Sequence, residues 1–412
     1  MAKPTASLFN IVVLVAALGY FVDIYDLLLF NIVRVESLQE LGLNPDGIRR
    51  EGEFIISIQM VGLLLGGIIW GIMGDRRGRL SVLFGSIILY SLANIINGFV
   101  ETPGQYALVR FIAGIGLAGE LGAGITLVAE LSSKDKRGLS TSLVAGVGLF
   151  GAVAAYFISL QFHWRTCYFI GGGLGFALLL LRISVYESGL FNAIKETPVR
   201  RGDFFMFFTD SKRLKRYLLS ILIGLPTWYV IGVLVAFSNN FAEAFGIEGE
   251  ILPKKATMYA YVAIAIADVV TGFVSHWLRS RKKALYIFYL VTLAAILLFF
   301  SNANSSAERM YAICALLGFG TGFWAIFVTM AAEQFGTNLR ATAATTIPNM
   351  VRGSLPVILL IFNWLQNFTS YSNAALYTGL GVMVVSFWAA WKSKETYGIS
   401  LDYIESTPVT RA

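Results

Sequence analysis

Long apolar runs alternate with short polar ones along the whole chain. Twelve such runs lie at roughly 9–32, 53–74, 80–100, 104–131, 139–160, 164–183, 217–242, 255–278, 284–301, 308–332, 341–366 and 372–391. Each is close to the length of about twenty residues that a helix needs to cross a bilayer. The pattern therefore predicts an all-α membrane protein of twelve spans, numbered 1 to 12 in chain order. The polar connections alternate in charge. One set carries RRGR (76–79), KDKR (134–137), the stretch 200–216, RSRKK (279–283) and Lys392 with Lys394; the other carries Glu36, Glu40, Asp46, Glu51, Glu53, Glu101, Glu243, Glu248 and Glu250. Basic connections stay in the cytoplasm. That places both termini inside, in agreement with an even number of spans, which puts them on one side, with the protein in the inner (plasma) membrane.

Composition agrees: 56% of residues are hydrophobic and 14% charged, against about 25% charged in a soluble domain. The net charge of +7 sits in the inter-span runs, which orient a membrane protein, so nucleic acid is not an expected partner. Cys167 and Cys314 fall in apolar runs with no metal or disulfide spacing. No metal and no cofactor is expected, and no nucleophile motif or nucleotide loop suggests an enzyme. The first run lacks a basic start and a cleavage site, so it reads as a retained span. The basic, amphipathic stretch 184–216 reads as a cytoplasmic linker lying on lipid. It divides an N-terminal half (1–183) from a C-terminal half (217–391), followed by a cytoplasmic tail (392–412).

The chain also reads twice. AELSSKDKR, from Ala129 to Arg137, returns about 200 residues later as AEQFGTNLR, from Ala332 to Arg340, and GIMGDRRGR (71–79) returns degraded as GFVSHWLRSRKK (272–283). Two parallel six-span repeats are a transporter architecture. GDRRGR resembles the loop 2–3 signature of the major facilitator superfamily. The Glu-x(6)-Arg pairs and KETYGISLDYIE (394–405) resemble its sugar porters, RFIAGIGLAGELG (110–122) its metabolite:proton symporters, and GYFVDIYDLLLFNIV (19–33) its phosphate:proton symporters. The resemblance implies two pseudo-symmetric six-helix bundles that rock about a central site.

Span 1 contains Asp23 and Asp26 inside an apolar run. Carboxylates in hydrocarbon cost several kcal/mol and mostly mark pathways, and this spacing puts both on one helix face. At the helical rise, Asp26 lies about 25 Å from the cytoplasmic end, and Arg110 of span 4 about 10 Å below the outer surface, so the two share a depth. The sugar porter resemblance implies that Asp26 pairs with Arg110 and takes the proton. Glu120, about 15 Å deeper, is a second candidate proton stop. The alternative is a structural ion pair between spans 1 and 4. Small residues at Gly114, Ala118 and Gly122 form a packing seam.

Arg352, near the middle of span 11, is the candidate for holding an anionic substrate group. Asn349 lies on its face, with Pro348 and Pro356 flanking, and pairing with Asp268 of span 8 is the competing reading. Trp228 and Tyr229 follow Pro226 as a possible aromatic wall; Gln59, Asn94, Asn239 and Trp324 are lesser lining candidates. Asp75, Arg79, Glu130, Arg137, Glu333 and Arg340 form the expected cytoplasmic gate, with Arg79 reaching Glu130 and Arg340 reaching Glu333. The second copy has His276 in place of the Asp. The resulting expectation is a monomeric proton symporter of a small polar organic metabolite, a carboxylate or an amino-acid-like zwitterion. The alternatives are phosphate or organic phosphate as substrate, an uncoupled facilitator, or, in a different class, a membrane sensor or receptor.

Overall fold

A computed structural model describes residues 11–77, 79–120, 137–187, 204–399 and 405. Over the described residues, every expected span coincides with helix. Span 1 is Ile11–Glu40, span 2 Pro45–Arg77, span 3 Arg79–Asn97, span 5 Arg137–Gln161 and span 6 Trp164–Glu187. Span 4 is described over Pro103–Leu117. Spans 8, 9 and 12 are Pro253–Trp277, Arg281–Phe300 and Tyr371–Lys392. Ten of the helical segments are long and apolar enough to cross a membrane, and Ser81–Asn97 is a shorter apolar one.

Several helices outrun their apolar runs. Span 1 continues two turns past Ile32 to Glu40, and span 2 begins at Pro45, so the acidic connection between them shrinks to a tight turn with Gly42 at φ 86°. The apolar run marks the part that lies in hydrocarbon; backbone hydrogen bonding carries the helix further.

Spans 7, 10 and 11 are interrupted. Span 7 runs as Ser211–Tyr229, loosens into a π turn at Val230–Val235, and resumes at Ser238–Phe245. Span 10 breaks between Ala307–Thr321 and Trp324–Glu333, and span 11 between Thr337–Gly353 and Leu355–Leu365. Pro226 and Pro356 account for two of these, since proline cannot donate to the helix ladder. Irregular backbone at this depth is tolerable only where protein satisfies it.

The two halves repeat their packing. Spans 1·5, 2·4 and 3·6 pack in the first half as 7·11, 8·10 and 9·12 do in the second, and the halves meet along 2·11 and 5·8. The span 4 seam is packing, as expected: a Cβ on Gly114 would lie 2.2 Å from the Gln59 carbonyl of span 2. Gly122 falls outside the described residues. So does the stretch 188–203 of the linker. The part beyond it opens with a turn at Phe204–Phe207 whose faces differ: Phe204 and Phe207 are buried, with Phe207 stacked on Tyr217 at 4.5 Å between ring centres, while Phe205 and the following Phe208 are exposed.

Candidate functional site

Asp23, Asp26, Arg110, Asp268 and Arg352 are all buried, each 0 or 1% exposed. Their partners differ from those that depth alone suggests. Arg110 does meet span 1 at the expected level, but it donates to the backbone carbonyl of Asp26 at 2.9 Å. Its other donors go to Asn94 Oδ1 at 3.1 Å and Gln59 Oε1 at 3.3 Å, and its guanidinium lies 5.6 Å from the Tyr168 ring. Gln59 in turn donates to the Leu27 carbonyl. Gln59 thus links Arg110 to the backbone of span 1. The Asp26 carboxylate makes no hydrogen bond among the described residues, and one oxygen abuts Gly171 of span 6.

The charge pair at the centre is Asp23 with Arg352, Nη2 to Oδ2 at 4.0 Å. It crosses between the halves, from span 1 to span 11. Neither Asp23 oxygen has a hydrogen bond among the described residues, nor has Arg352 Nε. Arg352 donates to Asn349 Oδ1 at 3.4 Å, and its guanidinium lies 5.9 Å from the Trp324 ring. The pair is thus in charge contact without the hydrogen bonds that make a buried ion pair strong. Tyr20 and Tyr261 lie within electrostatic reach of both partners.

Asp268 does not pair with Arg352. Its Oδ1 accepts from the Ala325 N–H at 3.0 Å, at the start of the second half of span 10. The exposed N–H groups and positive dipole end of that half-helix attract a carboxylate. Thr271, one turn on, donates to the Gly322 carbonyl on the other side of the break. Span 8 thereby satisfies both sides of the interruption in span 10. Trp324, the first residue after it, is buried, with its indole N–H free of hydrogen bonds among the described residues, as is that of Trp228.

Other expectations need correction. Glu120 is not a free carboxylate: Arg182 of span 6 binds both its oxygens, and the two are 1% and 3% exposed. Tyr229 turns away from the centre and donates to the Ala375 carbonyl of span 12 at 2.7 Å. Asn349, beyond its contact with Arg352, donates across the halves to the Ala118 carbonyl of span 4 at 2.8 Å. Asn239 meets Arg34 at 3.4 Å. Glu333 is held by Arg281 at 3.4 Å and by Thr396 at 2.7 Å; Arg340 is not among its described partners. Glu130 and the side chains of Asp75, Arg79 and Arg137 lie outside the described residues.

Three bases escaped the reading of the sequence as site residues: Arg34, Arg182 and Arg281. Arg34 lies just past the apolar run of span 1, and only the continuation of the helix buries it. Arg182 sits at the end of span 6, where a base normally reaches the interface. A base within a turn of an apolar run's end was the available signal, and it is a weak one.

Contacts between the halves lie on both sides of the Asp23–Arg352 pair. Toward the basic face, spans 2 and 11 close around Gly67 and Asn349. Toward the acidic face, Glu36 meets Lys254, Glu53 accepts from Asn363 at 2.8 Å, and Arg34 donates to the Ala236 carbonyl at 2.8 Å. The Asp23–Arg352 pair thus lies between two sets of contacts, with one partner from each half, at the interface between repeats where transporters of this architecture place their sites.

Comparison with known proteins fits this geometry. Residues 16–359 match the model of the Major Facilitator Superfamily. The niacin transporter NiaP of Acinetobacter baylyi is 24% identical over 95% of this chain and 95% of its own length. The gentisate transporter of Corynebacterium glutamicum is 25% identical over 88% of this chain and 84% of its own. Among solved structures, the proton:xylose symporter XylE bound to 6-bromo-6-deoxy-D-glucose aligns with a TM-score of 0.72 and 15% identity, covering 95% of this chain and 97% of its own. At that identity the likeness concerns the fold.

Proposed function

Because the chain belongs to the Major Facilitator Superfamily, and so is a multi-pass membrane transporter of a small molecule and not an enzyme, we propose that it carries a small aromatic carboxylate together with protons. The observation that supports this most is Arg352: a buried guanidinium between the halves, in loose charge contact with Asp23 and beside the Trp324 ring. A proton on Asp23 would leave Arg352 buried and unpaired, which is costly. A substrate carboxylate would then replace the lost partner, and Trp324 would offer an aromatic face at the same place. Niacin and gentisate, named for two relatives, are both aromatic carboxylates.

A zwitterion fits less well. Its ammonium would need Asp23 ionised, and an ionised Asp23 keeps Arg352 occupied. A phosphate dianion would ask for more than one buried base. Asp26, whose carboxylate makes no hydrogen bond among the described residues, is the second proton carrier in this reading, and Arg110 is its fixed electrostatic neighbour. The acidic face is external, both termini are cytoplasmic in the inner membrane, and the protein works as a monomer of two halves joined by the linker 184–216.

Proteoliposome uptake tests the proposal. With an inward proton gradient, benzoate, nicotinate or gentisate should accumulate above equilibrium, and amino acids, phosphate and xylose should not. Carboxylate flux indifferent to the gradient would leave a facilitator. Binding without flux would leave a sensor.

A further inference from the structure

Arg34 is a buried base that the transport reading leaves unused. It lies eleven residues beyond Asp23 on the same helix, about 16 Å further toward the acidic face at the helical rise. It is 1% exposed. Its Nη2 crosses to the other half, donating to the Ala236 carbonyl at 2.8 Å and to Asn239 Oδ1 at 3.4 Å, where span 7 is interrupted. Its guanidinium sits 4.1 Å from the centre of the Phe237 ring. Nε and Nη1 have no hydrogen bond among the described residues.

We infer that Arg34 is a second anion-binding residue, the first to capture the substrate carboxylate on the acidic face, and that it closes this face behind the substrate. The inference rests on the carboxylate reading above. A residue serving only as a latch would be satisfied most simply by a carboxylate. Glu53 is near enough to act on Arg34 electrostatically, together with Tyr371, yet its side chain accepts from Asn363. No carboxylate oxygen lies within 4.0 Å of Arg34 among the described residues. The guanidinium spends its charge on a neutral carbonyl, an amide and an aromatic face, all from the opposite half. When that half moves away, all three contacts go at once. What remains is a planar five-donor fork, the group that best matches a carboxylate.

The surroundings give such a group a task. The acidic face exposes Asp46, Glu101, Glu243, Glu248 and Glu250, which repel an incoming anion. Lys254 is neutralised by Glu36, and Arg165 is shared with Glu40. Arg49 lies over Tyr371, 5.9 Å from its ring centre, and acts on Glu53. Arg34 is the base here that is both buried and free of a paired acid among the described residues. It also repeats the pattern of Arg352 beside Trp324, a base against an aromatic face, at the entrance.

The test compares the two sides of the membrane. Initial benzoate transport is measured in right-side-out and inside-out vesicles carrying wild type, Arg34→Gln or Arg34→Lys. Losing one charge-assisted bond should raise KM from the acidic face about tenfold in Arg34→Gln, with a smaller rise in Arg34→Lys, whose ammonium keeps the charge and loses the fork. KM from the basic face should not move. Should Arg34→Gln not fold, the one-sided rise in Arg34→Lys decides alone. An unchanged acidic-face KM, or an equal rise on both faces, overturns the inference and leaves Arg34 a latch. Wild-type vesicles that move no benzoate, nicotinate or gentisate would instead overturn the carboxylate reading itself.

Discussion

Asp23, Asp26, Asp268 and Glu120 are all carboxylates in hydrocarbon, and their neighbours give them different work. Glu120 is gripped by both arms of Arg182. Removing one partner of a buried pair costs about 3–5 kcal/mol, whereas removing both charges costs far less. Glu120→Gln should therefore lower the unfolding temperature in detergent strongly, and Glu120→Gln with Arg182→Gln should recover most of it; equal losses in the single and double variants would contradict the pairing. Asp23 faces Arg352 without a hydrogen bond, so its role should be in turnover. Asp23→Asn holds the side chain neutral. Gradient-driven accumulation should fall to the equilibrium level while substrate exchange continues, as measured in proteoliposomes. Accumulation preserved in that variant would move coupling to Asp26. The positions of all four acids could be read in the sequence, because a charge inside an apolar run is conspicuous. Their partners could not. Depth placed Arg110 level with Asp26 correctly, but helix rotation decides whether a base finds the carboxylate or the carbonyl of the same residue, and apolar periodicity constrains rotation poorly when most faces are apolar.

The interrupted spans raise the same issue for elements. Prolines announced the kink in span 7 and the break in span 11. Nothing comparable marks span 10, where the chain stops being helical at Gly322 and Phe323 because span 8 supplies substitutes for the lost hydrogen bonds. A Cβ on Gly322 would lie 2.2 Å from that of Ala267. Gly322→Ala should therefore push spans 8 and 10 apart and cost about 1–3 kcal/mol, seen as a lower unfolding temperature. Asp268→Asn keeps an acceptor for the Ala325 N–H and should be milder than Asp268→Ala, which loses a cap worth about 0.5–2 kcal/mol. The tail adds an element whose docking depends on pH. Burial alone would raise the Glu395 carboxyl, but hydrogen bonds from Ser280 and from the backbone N–H groups of Tyr397, Arg281 and Lys282 outweigh it and hold the group below its ordinary value. A depressed carboxyl contributes stability above its unfolded value, and that stability is lost as pH falls through the folded one. Tail cleavage by an acid-active protease should accelerate below about pH 4.5 more than cleavage of an unfolded peptide does, and Glu395→Gln should already be cut readily at neutral pH by a neutral protease and lose that excess acceleration.

At the scale of the whole molecule, the internal repeat made the two halves legible, because a parallel six-span duplication has few other ways to fold. The state of the assembly was not legible, since it depends on contacts between halves that share no sequence pattern. Here the described residues of the two halves meet on both the basic and the acidic side of the centre, and the balance between these contacts is open to test at one position. A Cβ on Gly67 of span 2 would sit 2.8 Å from that of Asn349 in span 11, on the basic-face side of the Asp23–Arg352 pair. The Arg34, Glu36 and Glu53 contacts toward the acidic face are untouched by that change. Gly67→Val should wedge the basic face apart and shift the population toward a state open there, each 1.4 kcal/mol being a factor of ten. Both native cysteines are buried, so a cysteine introduced at Thr345, also buried, reports the opening through its rate of reaction with a thiol reagent. That rate should rise in the Gly67→Val background, and substrate added from the acidic face should no longer slow it, because the wedge holds the basic face open whether or not the central site is filled. An unchanged rate would mean that spans 2 and 11 do not form the closure on this side.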